Sequence, residues 1–144
     1  MATTTFLGNA TCNITQGATT YDVTDQLSSA SLTVGFDQLE TTAFTSSGSP
    51  TGHTWTSGLM NGELSLSLYM SYGASEVEAM IAACVGKTST IVISPSGTTE
   101  SATNPEYTLE AFLPEGAVIN SNFGELATAE LTFQVSTWAR DITA

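Results

Sequence analysis

Apolar and polar side chains alternate along much of this chain, with the two-residue period of a β-strand that has one buried face. The clearest run covers residues 63–72, where Leu64, Leu66 and Leu68 fall on one face and serine and glutamate fall on the other. Further strands are predicted at residues 20–44, 91–93, 107–113, 117–120 and 126–140. The pattern therefore predicts a mainly β protein.

The period changes to that of a helix directly after the clearest strand. Apolar residues between positions 77 and 85 recur at spacings of three and four, which is typical of an amphipathic α-helix lying on a sheet. Ser75 and Glu78 match a capping box, and Gly86 can adopt the left-handed conformation that ends a helix. One α-helix is therefore predicted.

Glycine and proline indicate where the strands are interrupted. Residues 58–62 (Gly-Leu-Met-Asn-Gly) are predicted to form a turn, because Asn-Gly is a strong hairpin signal. Residues 94–97 (Ser-Pro-Ser-Gly) predict a second turn. The Ser/Thr-rich residues 45–54 have no periodicity and predict a loop, which is long enough to suggest a role in contacts. No internal repeat or domain boundary interrupts the chain, so one domain over residues 1–144 is predicted.

The charge balance limits the classes of function. The chain has 14 acidic residues, only two basic ones (Lys87 and Arg140) and a formal net charge of −12. Two cations cannot neutralise the phosphates that a nucleic-acid-binding protein must hold. An acidic wall could instead let DNA pass without retaining it, although acidic surfaces also serve solubility alone.

Residues with catalytic or metal-binding potential are few and scattered. His53 is the single histidine and no nucleophile-elbow motif accompanies the many serines, so a Ser-His-Asp triad is not predicted. Cys12 and Cys84 are expected to be free thiols, and they cannot form a closed zinc site with one histidine. We expect no enzymatic activity and no cofactor. The amino terminus does not resemble a secretory signal, and no apolar run is long enough to span a bilayer, so no membrane partner is expected.

Three motifs, in register with this order of elements, resemble the tail tube proteins (major tail proteins) of siphophages. The first is the acidic-Thr-Thr-Phe strand at residues 37–44, the second is Gly-Leu-x-x-Gly at 58–62, and the third is the Pro-x-Gly turn. The residues that carry these motifs are Asp37, Leu39, Thr41, Thr42, Gly58, Leu59, Gly62, Pro95 and Gly97.

The resemblance implies an α+β, mainly β fold, namely a two-sheet antiparallel β-sandwich with one flanking α-helix. It also implies a structural virion protein whose copies form hexameric rings that stack into a tail tube, a channel for genome DNA ejection. Expected partners are further copies of the chain, the tape measure and tail tip proteins, and DNA in transient passage. The expected location is the virion tail, after assembly in the host cytoplasm, and residues 1–19 are a candidate N-terminal arm.

Two sets of candidate functional residues are predicted, one for contacts between rings and one for the surface of the lumen. By resemblance, residues 45–56 form a loop that contacts the neighbouring ring, and its candidate residues are Phe44, Ser46, Ser47, Gly48, Pro50, His53 and Trp55. The polar side of the clearest strand gives the lumen-facing candidates Glu63, Ser65, Ser67 and Ser71. The alternative function is a β-sandwich that binds a ligand or decorates a virion as a monomer or small oligomer.

Overall fold

A computed structural model of the protein describes residues 10–43, 52–97, 100–121 and 123–143. A short 3-10 helix, Thr24–Gln26, connects the second and third of its strands. The other elements, in chain order, are β1 (Thr11–Gln16), β2 (Thr19–Asp22), β3 (Leu27–Glu40), β4 (Trp55–Tyr69), α1 (Val77–Cys84), β5 (Thr88–Ser94), β6 (Glu106–Phe112) and β7 (Thr128–Asp141).

All seven strands belong to one antiparallel sheet with the order β2-β1-β5-β6-β7-β4-β3. The predicted mainly β fold with one helix is therefore confirmed. The division into two sheets is not, because hydrogen bonds run without a break from β2 to β3. The sheet is instead curved, so that the inward side chains of Leu32 and Val34 on β3 face Ile93 and Tyr107 across a groove.

The hydrophobic core lies on one face of this curved sheet. Leucine side chains at alternate positions of β4 pair with apolar residues of β7, in the register Leu64↔Phe133 and Leu66↔Leu131. Leu64, Leu66 and Phe133 are between 0% and 2% exposed. The helix α1 covers the same core with four buried residues, Val77, Met80, Ile81 and Cys84.

The two ends of α1 are stabilised in different ways. The predicted capping box does not form, since the helix begins one residue after Glu76. Ser71 replaces it, because its hydroxyl accepts a hydrogen bond from the Val77 amide at 3.3 Å and donates to Glu76 Oε2 at 2.8 Å. The carboxyl end matches the prediction, since Gly86 has φ +75° and its amide donates to the carbonyl of Leu113.

The predicted turn at residues 58–62 is wrong, because these residues form the middle of β4. Val34 pairs with Gly62 and Gly35 pairs with Asn61, and neither Gly58 nor Gly62 has a positive φ. The glycine at position 62 serves close packing instead. A Cβ atom there would lie 2.9 Å from the carbonyl oxygen of Thr33 and 3.2 Å from the Cβ of Val135.

Two other local predictions also need correction. Residues 11–16 of the expected N-terminal arm form β1, an internal strand whose Cys12 and Ile14 are fully buried, while residues 1–9 lie outside the described residues. Residues 117–120 were predicted as a strand but lie in the connection between β6 and β7. None of these residues pairs with a strand of the described sheet.

A register shift in the β6–β7 pair changes which side chains of β7 face the core. Glu110 pairs with Thr137 and Ala111 pairs with Val135, so Ser136 is the extra residue of a β-bulge. Thr137 is thereby moved off the core face where strict alternation would place it, and Trp138 packs against the core.

Candidate assembly surfaces

The β3–β4 hairpin is separate from β7 over its outer part. β4 pairs with β7 only from Glu63 to Tyr69, so its first eight residues pair with β3 alone. Pairing continues past both strands, since the Thr41 amide donates to the Thr54 carbonyl at 2.8 Å. The Thr54 amide in turn donates to Thr42 Oγ1 at 2.9 Å. We call residues 33–43 and 52–62 the hairpin arm.

The hairpin arm carries apolar side chains that the described residues leave exposed. Phe36 is 48% exposed, Trp55 53% and Leu59 78%, and Leu39 and Met60 are exposed as well. No residue of β3 is buried over its whole length of 14 residues. A two-stranded ribbon is marginally stable alone, and clustered exposed apolar side chains mark interaction surfaces. The arm therefore has the properties of a contact element.

Two of the sequence motifs meet in this arm. Gly58 lies against the first motif, because a Cβ atom at this position would be 3.0 Å from the Cβ of Asp37 and 3.3 Å from the Cγ of Leu39. Asn61 Nδ2 donates a hydrogen bond to Asp37 Oδ1 at 2.7 Å. The third motif lies elsewhere, where Pro95 and Gly97 belong to the bend that follows β5. That bend confirms the predicted turn.

The end of the arm contains the described part of the predicted ring-contact loop. His53 Nδ1 contacts the carboxylate of Glu40, and the His53 and Trp55 ring centroids are 6.1 Å apart. Trp55 is the first residue of β4, so the loop is the connection of a hairpin. Phe44, Ser46, Ser47, Gly48 and Pro50 lie outside the described residues.

The side of the sheet opposite the core forms a continuous polar surface over β3, β4 and β7. Cross-strand neighbours share one side of a sheet, and the register aligns Ser31 with Ser65 and Thr132, and Thr33 with Glu63 and Gln134. The polar face defined by this register consists of Ser29, Ser31, Thr33, Glu63, Ser65, Ser67, Glu130, Thr132 and Gln134.

The polar face carries carboxylates and no basic side chain. Glu63, Ser65 and Ser67 lie on it as predicted, whereas Ser71 lies beyond the end of β4 and contacts the helix. Alternation within one strand identified only the β4 row, because the neighbouring rows of β3 and β7 depend on sheet order. Lys87 lies between α1 and β5, and Arg140 pairs with Tyr107, which faces the groove.

The sheet is open at both sides. β2 and β3 are its terminal strands and they are not hydrogen-bonded to each other. The backbone of β3 therefore pairs with β4 on one side only, along an edge of 14 residues. A long exposed edge is a template for pairing with another chain, and proteins normally cover or interrupt it.

The two cysteines are buried and unpaired, as expected. Burial, together with the negative charge of Asp22, raises the pKa of the Cys12 thiol to about 12. Burial also raises the pKa of Cys84. Both thiols are therefore neutral packing groups rather than nucleophiles at neutral pH.

Among the described residues, no group of three or more His, Cys, Asp or Glu side chains is placed to hold a metal ion. Over the same residues, no helix has the length and apolar character needed to cross a bilayer.

Comparison with solved structures identifies the fold. The chain is similar to the SPP1 tail tube, with a TM-score of 0.71 and 11% identity over 96% of this chain and 79% of that one. It is similar to the tail of an empty GTA particle of C6 symmetry, with a TM-score of 0.67 and 10% identity over 98% and 100%. No family model matches the sequence and no curated protein matches it.

A further similarity is to the baseplate of the anti-feeding prophage, solved with six-fold symmetry. Its TM-score is 0.65, with 12% identity over 97% of both chains. The chain thus has the fold found in the SPP1 tail tube, the GTA tail and the anti-feeding prophage baseplate, along nearly its whole length. The expected tail-tube fold is confirmed, and at such low identity the likeness concerns the fold alone.

Proposed function

We propose that this protein is a non-enzymatic tube subunit, whose copies join side by side into six-membered rings that stack into the tail tube of a phage. The observation that carries this proposal is the open edge of β3, a strand of 14 residues with no buried side chain. Such an edge is a template on which a strand of another copy can pair. Closing identical copies around an axis removes every open edge at once.

The polar face is the part of the sheet that we assign to the lumen. It offers hydroxyl, amide and carboxylate groups but no cation, so it can neither neutralise phosphate nor stack on bases. Six copies would surround DNA with like charge and allow it to slide during ejection. The absence of basic residues from this face is thus a property that suits passage rather than binding.

The hairpin arm is the element that we assign to contacts between rings. Its exposed apolar side chains lie where β4 pairs with β3 alone, and the ring-contact loop predicted at residues 45–56 joins its two strands. We also propose that the tube contacts a tape measure protein and a tail tip protein. Its subunits would assemble in the host cytoplasm and end up in the virion tail.

Electron microscopy of the purified protein over a range of concentrations tests the main proposal. Rings or tubes of uniform width, six subunits per ring, are the expected result. Discrete monomers or dimers at every concentration would contradict it and would favour the alternative, a ligand-binding or decoration module.

Removal of the arm's connection tests its assigned role. Deleting residues 46–54 should leave a folded monomer that no longer stacks, because the contact with the next ring is lost. A length-matched replacement of the same residues by glycine and serine serves as the control for hairpin closure. Unaltered tubes from the deletion variant would show that the loop does not join rings.

A further inference from the structure

An apolar groove separates the two halves of the curved sheet. It has a volume of about 410 Å³ and lies at the end of β6 nearer the hairpin arm. One wall is formed by Ala30, Leu32 and Val34 of β3, and the other by Ile93, Pro95 and Tyr107.

The groove lacks the features of a site for a polar small molecule. No charged side chain lines it, and the hydroxyl of Ser94 is already engaged with Thr11 at 2.8 Å and with the Ser96 carbonyl at 2.9 Å. Small-molecule sites combine an apolar lining with several convergent polar groups that orient the ligand. The groove therefore suits an apolar side chain better than a polar ligand.

The opposite end of β6 is followed by a loop whose apolar side chains are highly exposed. We call residues 114–121 and 123–127 the apolar loop. Phe123 is fully exposed, Leu126 is 79% exposed and Ile119 is 75% exposed. Nothing in the sequence pattern marked them as a surface, because apolar residues at 117–120 were predicted to be part of a strand.

The groove and the apolar loop cannot meet within one copy. Tyr107 lies beside the groove near the start of β6 and Phe112 ends the strand before the loop, so the two features are about 17 Å apart along β6 at about 3.3 Å per residue. A contact between them must join two copies head to tail, and such contacts repeat along an assembly.

The charges near the two features also favour contact between the groove and the apolar loop of another copy. Arg140 is directly opposite Tyr107 on β7, so it lies beside the groove, is exposed, and makes no ion pair with the described residues. The apolar loop contains Glu115 and Glu125. In a chain with a net charge of −12, these are groups of opposite sign that two copies can bring together.

We propose that Ile119 and Phe123 of one copy bind in the groove of a second copy, with an acidic residue of the loop beside Arg140. This inference rests on the proposed function, since ring stacking supplies the second copy in a head-to-tail orientation. It identifies the surface that receives the apolar loop and makes the loop a contact element in addition to the hairpin arm.

Disulfide cross-linking between two single-site variants tests the contact. Protein carrying Phe123→Cys is mixed with protein carrying Ala30→Cys under assembly conditions and oxidised. A covalent dimer should form in the mixture, because the native Cys12 and Cys84 are buried and do not compete. The control mixture pairs Phe123→Cys with Ser65→Cys, which lies on the polar face, and should give only background dimer.

The outcomes separate this inference from the proposed function. Wild-type tubes without the specific covalent dimer would overturn the groove contact and leave the tube intact. A specific dimer in protein that never forms rings would support the contact and contradict the tube. A cross-link between Phe6→Cys and Ala30→Cys within one chain would show that the chain's own amino-terminal segment occupies the groove, and would also overturn the inference.

Two substitutions provide a quantitative check. Phe123→Ala should raise the critical concentration for assembly by about thirtyfold, which corresponds to about 2 kcal/mol for burial of the ring. Arg140→Gln should weaken assembly less, and its effect should shrink as salt is added. Assembly by Phe123→Ala at the wild-type concentration would contradict the proposed contact.

Discussion

The two halves of β4 both carry large apolar side chains but have different surroundings. In the second half, Leu64, Leu66 and Leu68 are at most 2% exposed, because β7 pairs with this half and the helix covers it. In the first half, Trp55, Leu59 and Met60 are exposed although this half is equally extended. An alternating pattern thus defines the two faces of a strand, while the neighbouring elements decide whether the apolar face is covered. The hairpin arm is the part that remains for a partner.

The largest expected effect comes from truncating one leucine in each half. Leu66→Ala should lower the free energy of unfolding by about 3 kcal/mol, because it leaves a cavity in the core. Leu59→Ala should change it by less than about 0.5 kcal/mol, since the side chain is mostly in solvent. Denaturant titration of both monomers measures the difference.

Tube formation should depend on the exposed leucine, Leu59, although monomer stability does not. Leu59→Ala should impair tube formation while its monomer remains as stable as the wild type. Equal losses of monomer stability in the two variants would show that the arm is covered within a single copy.

Gly62 stands at the boundary between the two halves, where its lack of a side chain lets β4 pack closely against Thr33 and Val135. Gly62→Ala should lower the free energy of unfolding by about 2 kcal/mol, because the new Cβ would lie 2.9 Å from a backbone oxygen that cannot easily move. Gly52→Ala is the matched control in the arm, since a Cβ there meets nothing within 4 Å. A comparable result for the two variants in denaturant titration would contradict this role of Gly62.

Alkaline pH should affect the buried core, through a thiol on β1. The pKa of Cys12 is about 12 in the folded protein against 9.0 for a free thiol. Below pH 9 the thiol is protonated in both states and contributes nothing. Above pH 9 only the unfolded chain loses the proton, so the free energy of unfolding should fall by up to about 1.4 kcal/mol per pH unit.

The variant Cys12→Ala isolates this contribution, because it lacks the thiol and should show a shallower decline in stability between pH 9 and pH 11. A thiol-reactive dye should label an added cysteine in the arm, Thr56→Cys, within the dead time of mixing. It should label the native thiols only after the protein unfolds. Rapid labelling of Cys12 in the folded protein would show that the core opens locally at β1.

The smallest expected effect concerns repulsion between copies. Carboxylates on the polar faces of neighbouring subunits should disfavour assembly by about 0.4 kcal/mol for a pair 10 Å apart in water. The screening length is about 8 Å at physiological salt and about 30 Å at 0.01 M, so tubes should form less readily in dilute buffer. Glu63→Gln should reduce this dependence, as light scattering against salt can measure. Equal assembly at all salt concentrations would argue against a charged lumen.

Local chemistry made several elements predictable. The helix was found because its apolar period and the left-handed Gly86 are both features of a short segment. The two faces of β4 were predicted in the same way, from the alternation within one strand. The free thiols and the scarcity of basic residues that could bind phosphate were predicted from composition. The bend at Pro95 and Gly97 needed no knowledge of distant residues.

Other features depended on contacts between residues far apart in the chain. Asn61-Gly62 has the chemistry of a turn, but pairing with Val34 and Gly35 along the whole hairpin keeps it extended. The bulge at Ser136 changes the face of Thr137 through a register that only β6 sets. The placement of β1 inside the sheet likewise depends on its pairing with β5.

The sequence by itself therefore determined the type of the main elements, the apolar side of each strand and the acidic, cation-poor character of the surface. Only the tertiary structure decided that the strands form one open sheet, that β3 is its uncovered edge, and that the apolar loop and the groove lie at opposite ends. The reason is physical: period and turn chemistry act within a few residues, whereas sheet order and burial are set by which distant strands pair.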